Sequence, residues 1–290
     1  MKKVDLSSLN IEDYVNSIDI KKIKDTLSDS KYKRIIDRIE FLIKMDLNTI
    51  RKYLNITNYY SSDEKKEIEK AFNYSAYRQK EEFLEHFKKL NIKSCPFCNN
   101  NYVYFYKKDA SDEYNTLATL EHYYPKATYP YLSLSFYNLI PCCSNCNSKF
   151  KGDSTHVGNI LHPYYEDFDE KATFSVSVDS LPVGKDIELS ISLKQNDIND
   201  TRCEKSIERF QLDKIYEEHK DIAKEIWNKA QVYNNDRIDE LYKSFYKSLG
   251  YTKDDVKNFV FCSYLRKNDI NKKNHTKLTQ DILMQFELNN

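Results

Sequence analysis

Two Cys-x-x-Cys pairs, Cys95-Pro-Phe-Cys98 and Cys143-Ser-Asn-Cys146, constrain this chain more than any other feature of it. Each pair can offer two thiolates to one ion, and four thiolates make the closed tetrahedral site that holds structural zinc. Such a site would tie together the two ends of the segment from Asn99 to Cys142 and fold it into a closed unit. Isolated cysteines are commonly just buried core residues, but two correctly spaced pairs favour metal. Cys142 offers a competing ligand with different spacing, and Cys143 is preferred because it completes the Cys-x-x-Cys. Cys203 and Cys262 stand alone in helical segments and are expected to pack in the core.

The chain's seven cysteines are an odd number. The first residues, MKKVDLSSLN, lack the apolar run of a secretory signal, and no stretch approaches the length that crosses a bilayer. The expectation is a cytoplasmic protein without membrane contact, whose cysteine pairs are metal thiolates and not disulfides. Lys+Arg and Asp+Glu each number 45, so the formal net charge is zero. A non-specific nucleic-acid binder usually carries a basic excess. Any nucleic-acid contact must therefore be a local patch or be supplied by a partner. The 24 tyrosines accompany many Asn, Lys and Ile, so their abundance alone says nothing about base stacking.

The predicted fold class is α+β, a mostly helical chain with a small mixed module embedded in it. Residues 1–90 read as a helical region. SKYKRIIDRIEFLIKM places Ile35, Ile36, Ile39, Leu42 and Ile43 on one helix face, and DEKKEIEKAFNYSAYRQKEEFLEHFKKL continues in that style around Phe72, Phe83, Leu84 and Phe87. Residues 91–165 hold most of the Cys and Pro and half of the His, and form the candidate site-bearing module. Residues 166–290 open with an alternating segment, Thr173 to about Gln195, predicted as a β-hairpin around a Pro/Gly-containing turn, and then return to helix.

Inside the module, TLATLEH alternates like a strand and ends at Glu121-His122. A long loop with Pro125 and Pro130 follows, then a short apolar strand over Asn138 to Ile140. CSNCNSKFKGD then carries helix signals, with Ser144 as N-cap, Lys149 and Lys151 in the last turn and Gly152 as the stop. The order is strand, loop, strand, short helix, with Asn147 and Lys151 four residues apart on one helix face.

On these residues the chain resembles the HNH endonuclease family, whose ββα-metal module has this order of elements. LEHYYPK, YNLIPCCSNCN and KGD match the three motif segments of its zinc-knuckle branch. The resemblance implies that His122 is the general base, that Asn138 braces the loop and helps orient it, and that Asn147 is a ligand of a catalytic divalent cation. Glu121 stands where the family more often has Asp as the other metal ligand, a departure that lengthens the side chain by one methylene. The implied cofactors are structural Zn2+ at the four cysteines and catalytic Mg2+ or Mn2+.

The residue types suit that chemistry independently. Phosphodiester hydrolysis needs a base working near neutral pH and a cation to take up charge on the phosphoryl group. Lys151 and Lys149 could add positive potential near the phosphate. His162, in HPYYEDF, is a further candidate substrate contact, with a packing turn as the equally weighted alternative. Tyr123, Tyr124, Tyr129 and Tyr131 could stack on nucleic acid or simply pack the loop. One tension is visible: neighbouring strand residues point to opposite faces, so Glu121 and His122 can share a site only if the strand ends or twists at His122.

The functional expectation is thus a metal-dependent HNH endonuclease acting on nucleic acid, with double-stranded DNA as the implied substrate. The terminal stretch NHTKLTQDILMQFELN is similar to that of stand-alone bacterial HNH proteins of ATPase-linked anti-phage defence pairs of the Septu type, which implies an ATPase partner subunit. The alternative is a catalytically inactive zinc-stapled interaction module within a complex.

Overall fold

The computed structural model describes residues 1–107, 114–150, 158–180 and 187–288. Its first part is helical, with α1 (Ile11–Asn16), α2 (Ile20–Thr26), α3 (Lys33–Ile36), α4 (Ile39–Lys44), α5 (Leu47–Tyr53), α6 (Ser62–Phe72), α7 (Tyr74–Tyr77) and α8 (Glu81–Lys88). Of the residues predicted to share an apolar face, Ile35, Ile39, Leu42, Ile43, Phe72, Phe83, Leu84 and Phe87 are all buried. The helices carrying them are shorter than predicted. Between α3 and α4 the Arg38 N–H reaches back only to Ile35 O, at 2.9 Å, so one apolar face is built from two short helices meeting at a corner. α6 starts with a Ser61/Glu64 capping box and stops at Asn73, which adopts φ 44°. Asn tolerates that left-handed conformation better than most residues.

Among the described residues, three antiparallel two-stranded sheets follow. β1 (Phe105–Lys107) pairs with β2 (Tyr114–Thr116), β3 (Thr119–His122) with β4 (Leu139–Cys142), and β5 (Ala172–Val178) with β6 (Leu189–Gln195). β4 begins one residue later than predicted, because Asn138 closes the 3-10 turn Phe136–Asn138. The short helix after β4 is a π-helical turn, Asn145–Lys149, and Ser144 makes no side-chain cap bond. The predicted α-type N-cap is thus absent: the wider turn serves to aim Cys143 and Cys146 at one centre. Lys151, Gly152 and His156, together with the turn expected at LPVGKD, lie outside the described residues. The predicted hairpin over Thr173 to Gln195 corresponds to β5 and β6.

The C-terminal part comprises α9 (Thr201–Phe210), α10 (Leu212–Glu217), α11 (Lys220–Val232), α12 (Asn235–Ser244), α13 (Lys253–Phe261) and α14 (Thr276–Gln285). Cys203 is buried as expected, but Cys262 is exposed. It caps the end of α13 with φ 49°, which turns it away from the core it was expected to join.

Two hydrophobic cores organise the described residues. The larger one is shared by the N-terminal helices and the module: Tyr14, Leu42, Phe83 and Phe87 belong to the same cluster as Leu132, Phe136, Leu139 and Ile140. The Phe87 and Phe136 rings stack at 5.1 Å between centroids. The smaller core joins β5 and β6 to α10, α11 and α14 through Phe174, Ile191, Tyr216, Ile226 and Leu278. The β3–β4 hairpin therefore rests on the N-terminal helices. No described helix is long and apolar enough to cross a membrane.

Candidate functional site

The β3–β4 hairpin positions the candidate residues, and its register runs from Thr119↔Cys142 to His122↔Leu139. At the Cys142 end the chain passes directly into the sulfur cluster. Cys95, Cys98, Cys143 and Cys146 are all buried, and their sulfur atoms lie within 4.8 Å of one another. Tetrahedral zinc at about 2.3 Å from each sulfur would need sulfur separations of about 3.8 Å, and Cys98 and Cys143 already stand at 3.9 Å. Cys142 is not part of the group: its sulfur faces the Thr119 hydroxyl at 3.5 Å, on the opposite side of the strand end.

The four thiols act on one another's protonation. Burial pushes the Cys95 thiol well up, hydrogen bonding to Cys143 pushes Cys146 up, and the Cys146 thiol holds Cys143 far below the usual thiol range. A dication would take all four as thiolates. Backbone support is in place, since the Cys143 N–H donates to Cys95 Sγ at 3.5 Å. These four residues could hold a structural metal such as zinc.

The Cys95–Cys98 knuckle is fastened to the C-terminal part by a residue that no sequence signal marked. Asn99 is fully buried, with φ 49°. Its Nδ2 donates to Ile270 O and Lys273 O, both at 2.9 Å, and its Oδ1 accepts the Lys277 N–H at 3.0 Å. Tyr216 adds its hydroxyl, which donates to Cys98 O at 2.8 Å.

At the other end of the hairpin the fastening is by amides and ions. Asn138 is fully buried. Its Oδ1 accepts the Tyr124 N–H at 2.7 Å, and its Nδ2 donates to Tyr124 O and Leu132 O, both at 3.0 Å. One side chain thus closes both ends of the loop that begins at His122. His122 is 4% exposed, its Nε2 lies 3.1 Å from Ser133 O, and the Tyr74 ring meets it edge-on at 4.5 Å. A carbonyl partner makes Nε2 the protonated nitrogen, so in the neutral ring Nδ1 is the acceptor.

Glu121 is equally buried and pairs with Arg209 of α9, Oε1 to Nη2 at 2.9 Å, with both side chains almost wholly out of water. Glu121 and His122 thus take partners from different elements, α9 on one side and α7 with the loop on the other. The strand runs to His122 without an earlier break, so the alternation noted in the sequence persists. Asn147 is half-buried in the π turn, its N–H bonded to Cys143 O at 3.1 Å, and this turn packs against β3. Lys149 is exposed at its end.

His162 is not a substrate contact. It is fully buried, its Nε2 donates to Tyr137 O at 2.9 Å, and its Nδ1 accepts the Tyr164 N–H at 3.2 Å. Burial pulls it down to about 3, and neither ring nitrogen is left to reach a phosphate. Three of the loop tyrosines are likewise structural: Tyr123, Tyr124 and Tyr131 are buried. The Tyr123 hydroxyl bonds Ile160 O at 2.6 Å, and that of Tyr131 bonds Tyr53 O and Leu54 O at 3.0 Å.

Sequence reasoning missed Arg209, Tyr74, Ser133 and Asn99. Each is distant from the motif or lies in an unremarkable position, and only contact reveals it. No protein-family model, no curated protein and no solved structure matches the chain.

Proposed function

We propose that this chain is a phosphodiester hydrolase of HNH type acting on nucleic acid, with His122 as the general base. The observation that supports the reading is the hairpin itself, which ends at His122 and at its other end enters a four-cysteine cluster, in the order of elements that the resemblance implies. The Ser133 carbonyl would hold the base in one tautomer and orientation, while the burial of His122 weighs for the alternative reading. His122 Nδ1 would accept the water proton while the water oxygen bonds to phosphorus and the 3′ oxygen leaves. Products would be 5′-phosphate and 3′-hydroxyl ends if the resemblance holds for bond polarity.

For Mg2+ or Mn2+, expected at Glu121 and Asn147, the two carboxylate oxygens of Glu121 differ: Arg209 Nη2 holds Oε1, while the buried Oε2 makes no hydrogen bond among the described residues. Glu121 and Asn147 would hold such an ion beside the guanidinium, where it would take up charge on the phosphoryl group, and no step is routed through it. The same ion pair favours a second reading, a zinc-stapled module without catalysis, in which Glu121 and Arg209 join β3 to α9.

Incubating wild type and His122→Ala with supercoiled plasmid in Mg2+, in Mn2+ and in EDTA separates the two. The nuclease reading expects nicking or linearisation that falls by roughly 100-fold or more in the variant. Equal cleavage by both proteins removes His122 from the mechanism. No cleavage by wild type, alone and with the ATPase subunit that the resemblance implies, leaves the interaction module standing.

A further inference from the structure

The formal charge of the chain is zero, so a nucleic-acid ligand must find a local concentration of positive charge. One such place lies directly behind the ring that contacts His122. A cleft of about 590 Å³ opens between α6, the start of α7 and the β3–β4 loop, lined by Lys66, Lys70, Lys126, Glu69, Asn73 and Tyr74 among others. Lys66 and Lys70 sit one turn apart on α6 and share its outer face, while Ile68 and Phe72 on the inner face are buried. Lys126 comes from the loop, adjacent to Pro125, and pairs with Glu69 across the cleft.

Tyr74 joins this cleft to the histidine. Its ring meets His122 edge-on at 4.5 Å, and its hydroxyl bonds Leu120 O at 3.3 Å. Arg78, exposed one turn further on, is close enough to act electrostatically on that hydroxyl, against the burial that pushes its pKa up. Three lysines and one glutamate thus line the cleft, and Arg78 stands near the Tyr74 hydroxyl. The remaining claim on Lys66 is an exposed pair with Asp63 at 3.0 Å, a contact that solvent leaves worth little and that a phosphate can replace.

We infer that this cleft is the seat of one phosphodiester strand of duplex DNA, with Lys66, Lys70 and Lys126 as backbone contacts that bring the strand to the His122 end of the hairpin. The inference rests on the hydrolase reading for its choice of ligand. Its geometry is separate at Lys66 and Lys70, which lie outside the motif segments that carried the resemblance, while Lys126 is the last residue of LEHYYPK. Helices outside the motif-bearing module would then supply affinity, and the β3–β4 hairpin the chemistry.

The test is fluorescence anisotropy with a labelled 30-base-pair DNA duplex in EDTA, so that binding is read without cleavage, at several salt concentrations. Lys66→Ala/Lys70→Ala is the first variant, because both side chains are exposed and their loss leaves the core untouched. Lys126→Ala is the second, and Lys243→Ala on α12 controls for loss of charge elsewhere. Circular dichroism melts check that each variant is folded. The double variant is expected to bind about tenfold or more weakly, with a salt slope shallower by about 2, while the control binds like wild type.

Equal binding by wild type and the double variant overturns the inference, as does an equal loss in the control. Failure of wild type to bind the duplex at low salt also overturns it, and so does binding confined to a duplex RNA of the same sequence. The plasmid assay with His122→Ala is read independently. A chain that cuts through His122 but ignores the lysines keeps the hydrolase reading and loses the cleft. A chain that binds through the lysines but cuts nothing does the reverse.

Discussion

The two ends of the β3–β4 hairpin are held by different physics. At the Cys142 end, four buried sulfurs converge within 4.8 Å, an arrangement that without a cation would crowd polar thiols into a dry space. At the His122 end, Asn138 makes three hydrogen bonds to backbone, and Arg209 neutralises Glu121. The first end is arranged so that a bound cation could complete it. The second is held by the chain's own contacts, the Glu121–Arg209 pair and the Asn138 amide, although Arg209 Nε and the Ser133 hydroxyl are buried without a hydrogen bond among the described residues. A hairpin built this way can have its scaffold loosened by removing metal while the histidine keeps its immediate contacts. Conversely, it can lose the Glu121 side of its site without disturbing the sulfurs.

The largest expected effect breaks the sulfur end. Structural zinc contributes on the order of 10 kcal/mol to small sites, far more than a marginally stable fold has to spare. Treatment with a strong chelator is expected to release about one zinc per chain by elemental analysis and to abolish the cooperative melt of the module. Cys95→Ser and Cys143→Ser should each do the same. A protein that keeps its melting temperature after losing all metal would show that packing alone holds that end.

Next comes the ionic contact at the other end. Arg209→Ala leaves Glu121 as a buried charge without its guanidinium, which costs about 3–5 kcal/mol in comparable cases. Urea unfolding measures it, and the metal content should stay at the wild-type level. Glu121→Leu/Arg209→Met, which removes both charges, should recover most of the loss. A single-variant cost under about 1 kcal/mol would mean that water reaches the pair, and the contrast between the two ends would then weaken.

The smallest effect sharpens the comparison through pH. His162 touches the His122 end, its Nε2 on Tyr137 O and its ring 4.4 Å from that of Tyr123. Burial holds it down at about 3, against an ordinary value of about 6.5. Between those two values the unfolded chain binds a proton that the folded chain does not. Stability from this group therefore falls as pH drops from about 6.5 towards about 3, by at most about 1.4 kcal/mol per pH unit. Acid also protonates thiolates, so the sulfur end moves in the same direction and melting alone cannot separate them. The imidazole resonances of His162 can: they should stay constant from pH 7 down to about 4. A midpoint near 6.5 would place that ring in water.

Much of the architecture could be read in advance because it rests on local rules. Two residues between paired cysteines put both sulfurs on one side of a turn, whatever surrounds them. Alternation over Thr173 to Gln195 gave a hairpin whose Phe174, Val176 and Ile191 face the smaller core. Where local rules competed with tertiary demand, they lost. Ser144 makes no cap bond, because the turn after it widens to serve Cys146. The long helices predicted across Asp37–Arg38 and across Asn73 break so that one apolar face can wrap a compact core.

The sequence by itself determined the four cysteines that could hold a metal, the order of strand, loop, strand and short helix, and the asparagine that braces the loop. Only the tertiary structure decided what each of them touches. Arg209 meets Glu121 from 88 residues away, Tyr74 backs His122 from an N-terminal helix, and His162 is sealed by two backbone groups. Spacing along a chain records which side chains a turn or strand can bring together. It carries no record of long-range partners, because these are selected by the packing of the whole core.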